Sequence, residues 1–344
     1  MNNRLRICWL VLLTVSAWNP RALAAQAKNE AQAQRPALDS PHLSAADKSE
    51  IAEALRLQAS IGDQVWPGFG QSQIPVILYN DKYEFLTGAT NPPAPWTAVE
   101  GDSFRGRSYY CRVAAKPQAF AVLIGATWAG SMSTLERMNV KLPLKITPDY
   151  HVILILHEVF HAYQAVQSPV RFARARAVYS SEDRYHKHDA AFAAAWNTEG
   201  SLLAAALKAN EDAQARLGAR QYLQARDARR AQASLSQELT AYERELEWLE
   251  GLAKYVELRF YELAASQRSD TAFADYKPGL PYWRPDLFRL EKAMGQQAGD
   301  LRFYLSGMAQ ARLLDRLSPG WQVRAMRDNV YLEDLLRVAV ELNK

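Results

Sequence analysis

The stretch that decides the reading is TPDYHVILILHEVFHAYQAV, residues 147–166. Thr147 suits a helix N-cap, Pro148 suits the first helical position, and Asp149 favours the positive end of the helix dipole. The segment is therefore predicted as one helix. Within it stand His157, Glu158 and His161. A separation of four residues is about one turn, so both imidazoles project from one face and can share a zinc ion. Glu158 lies beside them without completing the coordination. In this H-E-x-x-H arrangement a glutamate polarises water at the metal and shuttles its proton. Leu156, Val159, Phe160, Ala162 and Tyr163 are uncharged, and Val152 to Leu156 form an apolar run into the motif. A dry wall of this kind strengthens the field of a metal.

A catalytic zinc takes three protein ligands and keeps one position for water. His186 and His188 are the nearest downstream histidines, but they sit in SSEDRYHKHD (180–189), which reads as a solvated loop. With no third histidine close behind the motif, a glutamate is expected instead. Two glutamates interrupt apolar helical stripes. Glu199 lies among Phe192, Trp196, Leu202, Leu203 and Ala206, and Glu250 among Leu246, Leu249, Ala253, Val256 and Phe260. A carboxylate on a core-facing stripe is costly unless it is paired or bound to a metal. Each is followed by glycine (Gly200, Gly251), which lets another helix approach closely. Glu257 shares the stripe of Glu250. The residues alone leave Glu199 and Glu250 both open as the third ligand.

HEVFH followed far downstream by EGLAKY (250–255) resembles the gluzincin class of zinc metallopeptidases, in which a later helix supplies glutamate in an E-G-x-A-x-Y context. More specifically, the chain is similar to uncharacterised secreted bacterial zincins. The shared pieces here are Trp66-Pro67-Gly68, WNTEGSLLAAAL (196–207) and the segment from Gly307 to Trp321. The resemblance implies that Glu250 is the third metal ligand and that Glu199 hydrogen-bonds a ligand histidine. It requires ARLGARQYLQARDARRAQASLSQE (215–238) to be a helical excursion, expected as a solvated charged helix. Zincins commonly bind an extended substrate along an edge strand, for which Phe120 to Gly125 is the candidate; an interior strand is the alternative. Tyr304 and Tyr255 are the candidates for stabilising the transition state beside the metal.

The rest of the chain frames this centre. With 344 residues, 49% of them hydrophobic and 23% charged, it has the composition of a globular protein. No run of 18 apolar residues is present, which excludes a polytopic membrane protein. Two cysteines exclude a disulfide scaffold. The formal charge is +4, but Arg4, Arg6 and Arg21 lie in a leader without acidic residues, so the remainder is nearly balanced and nucleic acid has no electrostatic footprint. Residues 1–24 read as a secretory signal: Arg4 and Arg6, an apolar run from Ile7 to Trp18, a break at Asn19-Pro20, and Ala22-Leu23-Ala24 for cleavage. Cys8 falls inside the apolar run, leaving Cys111 alone in the mature chain. A periplasmic or secreted protein is expected, with no stable membrane insertion after cleavage.

Residues 25–43 read as a flexible leader. Ser44 can cap a helix running to about Ser60. From Trp66 to Pro143 glycine and proline recur among β-prone runs: Ile74 to Leu78, Tyr109 to Val113 and Phe120 to Ile124. Beyond Thr147 the chain is helical. The expected fold is α+β, predominantly helical and zincin-like: one domain over 44–344, with a β-containing lobe at about 61–146 and a helical lobe at about 147–344. The expected function is a zinc metallopeptidase acting on a peptide or protein. A zinc amidase or hydrolase on a non-protein envelope substrate is the alternative, as is a catalytically silent zincin-fold binding protein.

Overall fold

A computed structural model describes residues 41–142, 145–185, 189–266, 283–297 and 300–341. The secretory signal, nearly all of the leader at 25–43, and His186 and His188 lie outside the described residues. Ser44 caps the first helix, α1 (Ala45–Val65), through a reciprocal bond pair with Asp47. The helix continues five residues past the expected stop. It ends at Trp66-Pro67-Gly68, where Gly68 adopts φ +80°, a backbone region that glycine enters without strain.

Six strands follow: β1 (Val76–Tyr79), β2 (Tyr83–Thr87), β3 (Thr97–Ala98), β4 (Tyr110–Val113), β5 (Phe120–Ile124) and β6 (Thr127–Ser133). They form one mixed sheet in the order β3-β4-β2-β1-β6-β5. β1 and β6 run parallel, and the other pairs are antiparallel. The three β-prone runs thus become β1, β4 and β5, within two residues of their expected bounds. β5 lies at the sheet edge, so the alternative of an interior strand is set aside.

The remainder is helical: α2 (Leu135–Lys141), α3 (Pro148–Gln167), α4 (Pro169–Ala177), a 3-10 segment (Val178–Arg184), α5 (Ala190–Lys208), α6 (Asp212–Gln232) and α7 (Gln237–Leu246). A five-residue π-turn (Glu247–Gly251) then leads without a break into α8 (Leu252–Ser266). α9 (Trp283–Lys292), α10 (Leu301–Leu317), α11 (Trp321–Ala325) and α12 (Leu332–Glu341) complete the described chain. The fold is α+β with helix dominant. No helix among the described residues is long and apolar enough to cross a membrane.

Helix α3 is the axis of the structure. Thr147 caps it as expected, and every residue from His151 to Ala165 is buried. β6 lies directly across it: a Cβ on Gly130 would come 2.6 Å from the amide nitrogen of Val159, so only glycine permits this approach. On another side Tyr163 donates to the carbonyl of Pro67 (2.9 Å), which fixes the end of α1 against α3.

The excursion at 215–238 departs from expectation. Arg226 and Arg229 of α6 are buried, not solvated. Arg226 contacts Glu199, Glu247 and Glu333, and Arg229 contacts Glu199 and Glu243. Buried charge of either sign is tolerable only when it is paired, and here the carboxylates arrive from four other elements.

Candidate metal centre

α3 presents His157 and His161 one turn apart, with their Nε2 atoms 3.2 Å from each other. Glu250 comes from the π-turn. Its Oε2 lies 3.3 Å from His161 Nε2 and 4.0 Å from His157 Nε2. The three side chains are buried, and their donor atoms all lie within 4.8 Å of one another. This group could hold a metal ion.

The π-turn explains how Glu250 reaches the histidines. A helix that takes in an extra residue displaces its side chains from the regular α positions, and such bulges recur at functional sites. Close packing supports it: a Cβ on Gly251 would meet Gly307 Cα at 2.5 Å and the Phe303 carbonyl at 2.9 Å, both on α10. The carbonyls of Trp248 and Leu249 accept from Gln164 Nε2 at 2.8 and 3.2 Å.

Those bonds determine which way round the Gln164 amide lies. Its nitrogen faces two carbonyls, so its Oε1, 2.9 Å from His161 Nδ1, is an acceptor and that ring nitrogen carries hydrogen. His157 Nδ1 faces Glu257 Oε2 at 3.3 Å and is a donor by the same logic. Both Nε2 atoms are then left with lone pairs that converge on each other and on a carboxylate oxygen. In a dry interior a shared proton or a metal ion between them would satisfy that arrangement.

Burial alone lowers the pKa of His161, yet Glu250 beside it prevails and raises it above the usual value. Burial alone raises Glu250, but His161 and His157 outweigh it and bring the carboxyl down to about 2. Tyr179 donates to Glu250 Oε1 (2.8 Å), and the Tyr304 hydroxyl also bonds this carboxylate. The Tyr304 ring stacks on His157, with centroids 6.0 Å apart. Glu158 is buried, and its Oε2 has no hydrogen-bond partner among the described residues. Burial, only partly offset by the two histidines, pushes its carboxyl up to about 7.

Two expected residues go elsewhere. Glu199 is bound by Arg226 and Arg229 and leaves the histidines to Glu257 and Gln164. Tyr255 donates to Asp315 (2.9 Å), and its ring packs between Trp66 and Trp321. Trp321 Nε1 donates to the same carboxylate (2.9 Å). The W-P-G turn, the tyrosine of EGLAKY and the late tryptophan therefore meet in one aromatic cluster whose role is packing. Glu257 is held in turn by Lys254 (2.6 Å), which also pairs with Asp286 (3.0 Å). Glu257 was visible in sequence as a member of the Glu250 stripe. Gln164 and Tyr179 carried no such signal.

β5 lies beside this centre, with its first residue, Phe120, packed on His161 at 4.6 Å between ring centroids. No protein-family model, curated protein or solved structure matches the chain.

Proposed function

We propose that this chain is a zinc-dependent hydrolase of gluzincin type that cleaves peptide bonds in the periplasm or outside the cell. The observation that carries the proposal is the convergence of two imidazole lone pairs and one carboxylate oxygen, with both Nδ1 atoms held by acceptors behind them. Two histidines and a glutamate suit a catalytic zinc, which takes three protein ligands, in preference to a magnesium or calcium ion, which takes oxygen ligands. Bound there, zinc supplies a Lewis acid that polarises a carbonyl and acidifies water.

The protein's own residues supply the rest. Glu158, with a buried and uncommitted oxygen and a pKa lifted toward neutrality, is suited to take a proton from the attacking water and pass it to the leaving amine. Glu257 and Gln164 keep both histidines in the ligating tautomer. Tyr304, packed on His157, would turn its hydroxyl to the charge that develops at the reacting carbonyl. The outer side of β5 offers main-chain donors and acceptors to an extended peptide, which would bind as an added strand.

The test is direct. The mature protein should contain about one zinc per chain by elemental analysis, and His161→Ala should lose it. Zinc-loaded wild type should cleave members of a peptide library, and a chelator should stop it. Full zinc occupancy in His161→Ala would sink the ligand assignment. Cleavage that a chelator leaves untouched would sink the mechanism.

A further inference from the structure

Three arginines on α4 have different surroundings. Arg171 and Arg174 both pair with Glu245, at 3.4 and 2.6 Å. Arg176 faces the other way. Its guanidinium carbon lies 5.7 Å from the centre of the Phe120 ring and 5.9 Å from that of Phe172. It is half-buried, and it reaches no carboxylate among the described residues.

Two aromatic rings hold this guanidinium by cation–π attraction. They satisfy its charge only in part and none of its five N–H donors. A partly desolvated cation whose donors meet no acceptor side chain among the described residues is set up for a planar anion, and guanidinium fits carboxylate in a two-point fork. Its position gives that preference a use. Phe120 stands between Arg176 and His161, so one ring separates the cation from the metal-binding histidine. Phe120 also begins the edge strand β5, so a segment laid along that strand passes the guanidinium on its way to the centre.

We propose that Arg176 is a specificity-determining residue that selects peptides bearing a carboxylate near the scissile bond. The inference rests on the hydrolase reading above. The carboxylate can be an Asp or Glu side chain or the free C-terminus of a short peptide, and the two are separable by experiment.

The experiment measures kcat/KM of the zinc-loaded mature chain on matched quenched peptides. One arm places Asp, Glu, Ala or Lys at each position flanking the cleaved bond. The other compares free with amidated C-termini. Wild type should prefer the carboxylate-bearing member by about tenfold, the scale of one charge-assisted hydrogen bond. A preference that follows the internal acid assigns the side chain, and one that follows the free terminus assigns the chain end. Arg176→Met, which keeps the aliphatic packing, should erase the preference while zinc content and turnover of neutral peptides stay unchanged. Arg176→Glu should shift it toward lysine-bearing peptides. Cleavage without a carboxylate preference, or a preference that survives in Arg176→Met, overturns this inference and leaves the hydrolase reading intact. Failure to cleave any peptide overturns both.

Discussion

Gln164 binds His161 with one end of its amide and the backbone of the π-turn with the other. Oε1 lies 2.9 Å from His161 Nδ1, while Nε2 donates to the carbonyls of Trp248 and Leu249. One uncharged side chain thus sets the tautomer of the second histidine and secures the turn that carries Glu250.

Gln164→Leu should therefore weaken zinc binding by about 10–100-fold, the usual cost of removing a partner behind a metal-binding histidine. Competition with a chromophoric chelator measures it. Cobalt-substituted protein should show an altered visible spectrum in the variant. Wild-type affinity in Gln164→Leu would show that the tautomer is set without this residue.

Glu158→Gln isolates the proton transfer. The amide is nearly isosteric and Glu158 is not among the converging donors, so zinc content and melting temperature should match wild type. Hydrolysis should fall by about 10²–10⁴-fold, the range of general-base assistance. Equal turnover in this variant would remove Glu158 from the mechanism.

Gly251→Val tests the packing that holds Glu250 in place. Even the first added carbon meets Gly307 and the Phe303 carbonyl, so α10 and the π-turn must part. Overpacking of this kind costs about 1–3 kcal/mol or more. Thermal unfolding of the metal-free protein should shift down, and zinc affinity should drop with it. A loss of affinity without any loss of stability would argue for a local effect on Glu250 alone.

The buried arginine network predicts the acid response. Burial on its own raises the pKa of Glu333, yet Arg226 and Arg230 bring it down to about 2. A carboxylate with a folded pKa below its unfolded value of about 4.3 stabilises the fold above that value and ceases to as pH falls through the folded one. Glu243 is depressed in the same direction, since Arg229 and Arg230 overcome its burial. Urea midpoints should therefore decline between about pH 4.5 and pH 2. Glu333→Gln should flatten that decline. An unchanged slope would place the acid-sensitive groups elsewhere.

Helix α3 was legible because its signals are local: a cap, a proline, an apolar run and two histidines one turn apart. Glu250 was legible for a related reason, since a carboxylate on an apolar stripe followed by glycine needs a partner in the core. The same rule singled out Glu199, and its partner proved to be a pair of arginines. Those arginines were misread because repeated charge on a helix usually marks a wet face. Burying Arg226 and Arg229 depends on Glu199, Glu243, Glu247 and Glu333 arriving from separate elements, which no short window reveals. Gln164 and Tyr179 escaped notice for a simpler reason. An amide 3 residues from its partner, or a phenol 71 residues from its own, leaves no periodic trace. The π-turn was hidden as well, because a helix with one residue too many has the same composition as a regular one.

That surplus residue makes the centre vulnerable to a change in chain length as well as to a change of side chain. Deleting one position between Leu246 and Glu250 would let the two flanking helices close into a single regular spiral. Side chains beyond the turn would keep their faces, because only the surplus residue is removed, while Glu250 inside the turn would lose the displaced position that the bulge gives it. Glu250 would leave the two histidines in one step, while Glu257 and the apolar faces of α7 and α8 stayed where they are. A lineage carrying this fold could lose the three-residue cluster by one codon deletion and retain a helical protein, with H-E-x-x-H still readable in the sequence. Among relatives of this chain, helix length across 246–252 would then mark a working centre better than the histidines themselves.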